Sequence, residues 1–286
     1  MENTPMIITS RQNQYVSLAA GLMQRKQRRS EQMFRFDGVK LFCEAQKRGV
    51  DMEFVLVDAS QQNSVDHKAR ELYGFGLDAI SCRVLLVSHD IFEKISDENA
   101  PEGIICVAKY IDKFHKIATI DNNTTLLEQL AGPQQGRVLL CESLRDPGNV
   151  GAVVRTAYAF GIDWLILSED CADLYNPKTV RGAMGALFRQ RICVVDDLPA
   201  AISVLREHGR RVLAATLDDT SVSIADVNVS RRDCLVVGNE GHGLSAETVR
   251  ACAGSIIIPM QEGSESLNAG VAASVLMWEQ YRGEQK

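Results

Sequence analysis

Three stretches of this sequence set polar side chains among glycines and small residues, where backbone can approach a ligand closely. In "VVGNEGHGLS", residues 236–245, Gly238, Gly241 and Gly243 surround Glu240. Glycine permits positive φ and close approach that a larger residue would forbid. The plain alternative is a tight strand-to-helix connection in which Ser245 caps "AETVRACA" and Glu240 is merely exposed. The glycine order differs from the dinucleotide fingerprint G-x-G-x-x-G, so a Rossmann cofactor site is not expected.

In "ESLRDPGNVGAVVRTAYAFG", residues 142–161, Pro147 and Gly148 make a turn and Asn149 is expected to cap the helix that follows. Val150, Val153, Val154 and Ala157 recur at helical spacing as one apolar stripe, which puts Arg155 on roughly the opposite face. An outward arginine is ordinarily solvated or in a surface ion pair. At a strand end that lines a cleft, its guanidinium can instead clamp a phosphate or face developing negative charge. In "IIIPMQEGSESLNAGVAASVLMWEQYR", residues 256–282, Pro259 stops a buried strand, and Ser266 and Asn268 open a helix that is apolar almost all round. Such a helix is expected to be fully buried. Its polar first turn can offer backbone N–H groups and the Asn268 amide to a ligand.

The elements that must position these residues follow from apolar runs and breakers. "FDGVKLFCEAQKRG" reads as a helix with Asp37 as N-cap and Gly49 as C-cap, followed by the strands "MEFVLVD", "RVLLVS" and "GIICVAKY". Between Ile111 and Gln135 turn-formers flank one short helical stretch, "LLEQL". From Arg137 onward, "RVLLCE", "DWLILS", "RICVVD", "RVLAATL", "CLVVGNE" and "SIIIPM" alternate with helical-length segments. That alternation predicts a mostly parallel, helix-covered sheet with its ligands at the carboxyl edge. The organisation expected is a small α/β domain over 1–112, a linker over 113–136 and a second domain over 137–286.

The 286 residues are 45% hydrophobic, enough for two packed cores. No apolar run is long enough to span a bilayer, and the N-terminus lacks a secretory layout, so a cytoplasmic protein with no membrane partner is expected. The eight cysteines and five histidines are scattered, without C-x-x-C or metal-ligand spacing, so reduced core thiols and no metal are expected. The net charge of -6 argues against broad attraction to polyanions. Two local clusters run the other way: Arg25, Lys26, Arg28 and Arg29 near the N-terminus, and Lys178, Arg181, Arg189 and Arg191 in a stretch without an acid. Each can hold phosphates or form a solvated face.

Together and in this order, "DPGNVGAVVRTAYAFGID", "VVGNEGHGLS" and "IPMQEGSESLNAGVAASVLMWE" resemble the three motifs of the SPOUT methyltransferases, and within them the SpoU/TrmH family of RNA 2′-O-ribose methyltransferases. The likeness covers residues 137–286, and the segment before it is similar to the small α/β RNA-binding domain that many members carry. The resemblance implies a SPOUT trefoil-knotted parallel-sheet domain preceded by a small α/β RNA-binding domain, a bent S-adenosylmethionine held in the knot loops, and a homodimer whose sites lie at the interface. By the same likeness Gly238, Ile258 and Leu267, with Asn239, Gly241 and Met260, match cofactor-contacting positions. Asn149, Arg155, Glu240, Ser266 and Asn268 match the catalytic set. Arg155 is favoured as stabiliser of alkoxide charge, since arginine is effectively always protonated; the sequence leaves a base role open. Arg25, Lys26, Arg28, Arg29, Lys178, Arg181 and Arg189 are the expected phosphate contacts, and ribosomal RNA is expected ahead of transfer RNA. Where the family commonly shows a serine this chain has Ala183. The rival readings are a non-catalytic RNA-binding relative, against which the full set of polar residues speaks, and a nucleotide-cofactor oxidoreductase, against which the glycine order speaks.

Overall fold

The computed structural model describes residues 6–111, 136–218 and 221–283, and the backbone of 114–117. By its packing the chain divides into two units, one of residues 1–111 with 173–188, the other of 112–172 with 189–286.

The first unit is built on a five-stranded mixed sheet in the order β1-β4-β3-β5-β2, with β1 Ile7–Ile8, β2 Met33–Asp37, β3 Met52–Asp58, β4 Arg83–Val87 and β5 Ile104–Lys109. Phe54, Leu56, Ile105 and Val107 pack with Val16, Leu22 and Phe92 into one core. At roughly 1.5–3 kcal/mol for each large apolar side chain withdrawn from water, this packing is the main stabilising force. β2, which the apolar pattern did not reveal, buries Phe34, Arg35 and Phe36 in succession. Phe34 meets Tyr175 at 4.8 Å between ring centroids, and Phe36 meets Phe188 at 5.4 Å. The stretch 173–188, expected within the second domain, thus packs its aromatic rings against β2 of the first unit. Asp37 does not cap the helix Val39–Lys47, because its carboxylate is taken by the buried guanidinium of Arg35 at 2.6 Å. Glu102 accepts from the Val39 N–H instead, at 2.8 Å. At the end of β3 the buried Asp58 accepts from Ser60, from Gln61 and from the half-exposed His89, whose Nδ1 lies 2.7 Å away.

The second unit carries an eight-stranded sheet, all of whose pairings are parallel, in the order β11-β13-β10-β12-β7-β8-β9-β6. Its strands are β6 Phe114–Ile117, β7 Arg137–Cys141, β8 Ile162–Ser168, β9 Ile192–Val195, β10 Val212–Ala215, β11 Val222–Ser223, β12 Cys234–Val237 and β13 Gly254–Ile257. Val138, Leu140, Ile166, Val212 and Val236 form its core with Leu198, Ile202 and Leu205 of the helix Leu198–Glu207. The expected linker is only partly one: β6 pairs with β9 as an edge strand, and residues 118–135, including "LLEQL", lie outside the described residues. Between β10 and β12 the described chain forms β11 and turns rather than a helix.

Because every strand points the same way, the residues after β7, β10, β12 and β13 meet at one edge of the sheet. The polar residues Asn149, Glu240 and Asn268 of the three sequence motifs follow β7, β12 and β13 in turn. All eight cysteines are free and seven of them are buried. Among the described residues no helix is long and apolar enough to cross a membrane, and no group of three His, Cys, Asp or Glu side chains converges as metal ligands would.

Candidate active site

A cavity of about 480 Å³ opens where β10, β12 and β13 end, within the size range of small-molecule sites. Thr216, Gly238 and Ile258 each lie just beyond one of those strands and line it. All six residues matched to cofactor contact, Gly238, Asn239, Gly241, Ile258, Met260 and Leu267, are in its lining, as are Glu240 and Ser266.

The 238–245 loop owes its shape to backbone closure. Asn239 and Gly243 exchange two N–H···O bonds, each 3.0 Å. The Asn239 carboxamide oxygen accepts from the Gly241 N–H at 2.8 Å, and its nitrogen donates to the Ser143 carbonyl at 2.7 Å. A Cβ on Gly238 would sit 2.3 Å from the Gly243 carbonyl carbon and 2.5 Å from Leu244 N, so the close approach of two backbone segments requires glycine there. Gly243 has φ +69° with open space around it, so its requirement is conformational. Ser245 caps the helix Ala246–Ala251, as its sequence suggests.

The polar residues of the three motifs meet beside this loop. The Asn149 amide nitrogen donates to Glu240 Oε1 at 2.6 Å, and Asn149 Oδ1 accepts from Asn268 Nδ2 at 3.0 Å. Asn268 caps the helix Ala269–Arg282 by accepting from the Gly270 and Val271 N–H groups at 3.0 and 3.2 Å. Asn149 does not cap its own helix, Pro147–Ala159. Asp146 does, accepting from Gly148 N and Asn149 N at 2.6 and 3.0 Å, with Pro147 at the first helical position where its missing N–H costs nothing. This leaves the whole Asn149 amide free to bridge the other two motifs.

Val150, Val153, Val154 and Ala157 are buried as one stripe, and Arg155 is exposed without a hydrogen bond or ion pair among the described residues. Neither Asn149, Asn268 nor Arg155 is in the cavity lining. The Ala269–Arg282 helix is not fully buried, contrary to its composition: Val271 and Trp278 are 49% and 46% exposed.

The basic residues divide. Arg25, Lys26 and Arg29 are exposed on the helix Arg25–Glu31. Arg28 of the same helix is buried, its Nη2 2.7 Å from Asp173 Oδ2 and its Nη1 on the Leu22 and Met23 carbonyls, so it is unavailable to a phosphate. Helix periodicity turns this one residue inward while its neighbours face solvent. Lys178 is exposed, Arg181 lies 3.4 Å from Asp97, and Arg189 donates to Tyr158 Oη at 2.8 Å.

Residues 136–278 match the SpoU rRNA Methylase family, and residues 13–106 match an MRM3-like substrate binding domain. The chain belongs to the SpoU rRNA methylase family. It is 28% identical over 272 residues to the 23S rRNA (guanosine(2553)-2'-O)-methyltransferase RlmP of Bacillus subtilis, covering 95% of this chain and 97% of the relative. A crystal structure of an RNA 2'-O ribose methyltransferase superposes with a TM-score of 0.80 at 26% identity, covering 98% of this chain and all of the other. The SpoU methyltransferase AviRb from Streptomyces viridochromogenes, solved with AdoMet, gives a TM-score of 0.77 at 25% identity over 96% of this chain and 99% of its own. The fold is that of the SPOUT methyltransferases, and the protein is an S-adenosylmethionine-dependent RNA 2′-O-methyltransferase.

Proposed function

We propose that the cavity holds S-adenosylmethionine and that the methyl group is received by a ribose 2′-hydroxyl of ribosomal RNA. The residues present fit this ligand: Ile256, Ile258, Leu267 and Leu244 give apolar walls for a nucleobase, and Gly238 and Gly241 let backbone approach it. When bound, S-adenosylmethionine supplies an electrophilic methyl group on a sulfonium. The single observation that carries the assignment is the Glu240–Asn149–Asn268 relay, which joins one residue from each motif at the cavity's edge.

In this reading Asn149 fixes the Glu240 carboxylate, Asn268 fixes Asn149, and Ser266 presents its hydroxyl at the wall. Arg155, through its guanidinium, neutralises charge developing on the attacking ribose oxygen and holds the adjoining phosphate. The N-terminal α/β domain of residues 1–112 binds RNA, with Arg25, Lys26, Arg29, Lys178, Arg181 and Arg189 contacting phosphates. The protein works in the cytoplasm as a homodimer whose C-terminal segment threads a trefoil knot. Pairing is supported by the exposed Val271 and Trp278 on an otherwise apolar helix, and by Arg155 standing outside the lining of its own chain's cavity. It is then free to serve the partner's.

The test is a map of 2′-O-methylated riboses in RNA from cells with and without the protein. A ribosomal position lost on deletion and restored by the wild-type gene supports the proposal. Loss only at a transfer-RNA position moves the substrate class, and loss at none overturns it.

A further inference from the structure

One residue grips both ends of the loop that walls the cavity. Glu142 directly follows β7, and its N–H donates to the Val237 carbonyl at 2.9 Å, where the loop begins. Its carboxylate reaches the point where the loop ends. Oε2 accepts from Ser245 N at 2.8 Å, and Oε1 accepts from Ser245 Oγ at 2.8 Å and from Thr248 Oγ1 at 2.6 Å. Thr248 is completely buried.

The next residue supports the loop's middle. Ser143 carries the carbonyl that receives Asn239 Nδ2, and it does so in the left-handed region, at φ +54°. A non-glycine residue stays there only when its surroundings over-determine it. Here its N–H donates to Ser168 Oγ at 2.8 Å and its hydroxyl to Asp170 Oδ2 at 2.5 Å. Neither Glu142 nor Ser143 lines the cavity, so any influence on a ligand passes through the loop.

We propose that Glu142 is a positioning residue for cofactor binding, fixing the span from Val237 to Ser245 and so holding the intervening backbone in its ligand-ready shape. The proposal rests on the assignment of the cavity to S-adenosylmethionine. Its chemistry calls for glutamate. Three donors converge on an acceptor-only group; glutamine would turn an NH₂ toward one of them, and aspartate is a methylene too short.

Isothermal titration of the full-length protein with S-adenosylmethionine, together with steady-state kinetics on RNA, tests it. Glu142→Gln is expected to raise both the Kd and the KM for S-adenosylmethionine about tenfold, the loss of roughly one charge-assisted hydrogen bond, with kcat and the KM for RNA little changed. Thr248→Val, which removes one donor without opening a cavity, should act in the same direction and add little on top of Glu142→Gln. A merely structural glutamate would lower the unfolding midpoint and leave the cofactor KM alone. That result, or a Kd within about twofold of wild type for Glu142→Gln, overturns the proposal. Should Glu142→Gln fail to fold, Thr248→Val decides: unchanged cofactor affinity sinks the role. Failure of the wild type to bind S-adenosylmethionine would instead refute the cofactor assignment itself.

Discussion

Arg28 and Asp173, 145 positions apart in sequence, form an ion pair almost wholly out of water, with side chains 2% and 15% exposed. The guanidinium Nη1 donates to the Leu22 and Met23 carbonyls, so the charge is both paired and hydrogen-bonded. Breaking such a pair leaves a carboxylate without its counter-charge. Arg28→Ala should therefore lower unfolding free energy by about 3–5 kcal/mol in urea titrations.

The exposed neighbours should behave in the opposite way. Replacing Arg25, Lys26 and Arg29 together with alanine should leave stability nearly unchanged. The slope of log affinity for RNA against log salt should flatten by roughly 0.7–0.9 for each phosphate that is no longer neutralised. An unaltered slope would assign these side chains to a solvated face.

Two glycines of one loop should fail differently. Gly238→Ala sets a Cβ against backbone at 2.3 Å, which cannot give way, so the loop must open and S-adenosylmethionine binding should fall at least tenfold by calorimetry. Gly243→Ala meets nothing and carries only a left-handed backbone, a penalty of about 1–2 kcal/mol. Equal cofactor affinity in both variants would contradict this distinction.

Arg155→Ala should keep fold and cofactor affinity, because the side chain is exposed and off the buried stripe. Turnover should drop by roughly a hundredfold or more, as when a transition-state charge stabiliser is removed. If sites are shared between chains, mixing it with Gly238→Trp should restore part of the activity in verified heterodimers. Full activity of Arg155→Ala alone would remove its catalytic role.

Local chemistry singled out Gly238 for close backbone approach, the Asn268 amide for a ligand and, by periodicity, the buried stripe, whereas Asn149 and Glu240 are named as site residues only by the resemblance of their motifs to the family. What stayed hidden depends on partners far apart in sequence. Asp146 outcompetes Asn149 for the helix cap because it stands one residue before Pro147, and Asn149 is then spent on Glu240. Glu102 replaces Asp37 as the cap of the Val39–Lys47 helix from 63 residues away. Nothing local marks Arg28 as buried, since its partner arrives with residue 173. The exposure of Trp278 escaped composition too, which counts apolar residues without saying what covers them.

The Asp58–His89 contact carries a pH signature. The hydrogen bond to Asp58, with that carboxylate's charge, raises the His89 pKa above its ordinary 6.5. Burial pushes Asp58 upward, but the hydrogen bonds from His89, Ser60 and Gln61 outweigh it and leave its pKa below 3.8. The histidine's share of stability is thus complete below pH 6.5 and fades as pH rises through the raised value; the aspartate's fades as pH falls through the lowered one. The gap in unfolding midpoint between wild type and His89→Gln should shrink on going from pH 6 to pH 9, roughly across that window. A gap that grows with pH would reverse the assignment.

The passage of residues 173–188 into the first unit bears on how the chain matures during synthesis. Phe34 and Phe36 wait for Tyr175 and Phe188, and Arg28 waits for Asp173. Translation at about 5–20 residues per second delivers β7, its helix and β8 before those partners leave the ribosome. The strands β6 to β8 of the second unit are therefore made before the first unit has its last partners, so synthesis of the two units is interleaved even though the first has all its residues once residue 188 is made.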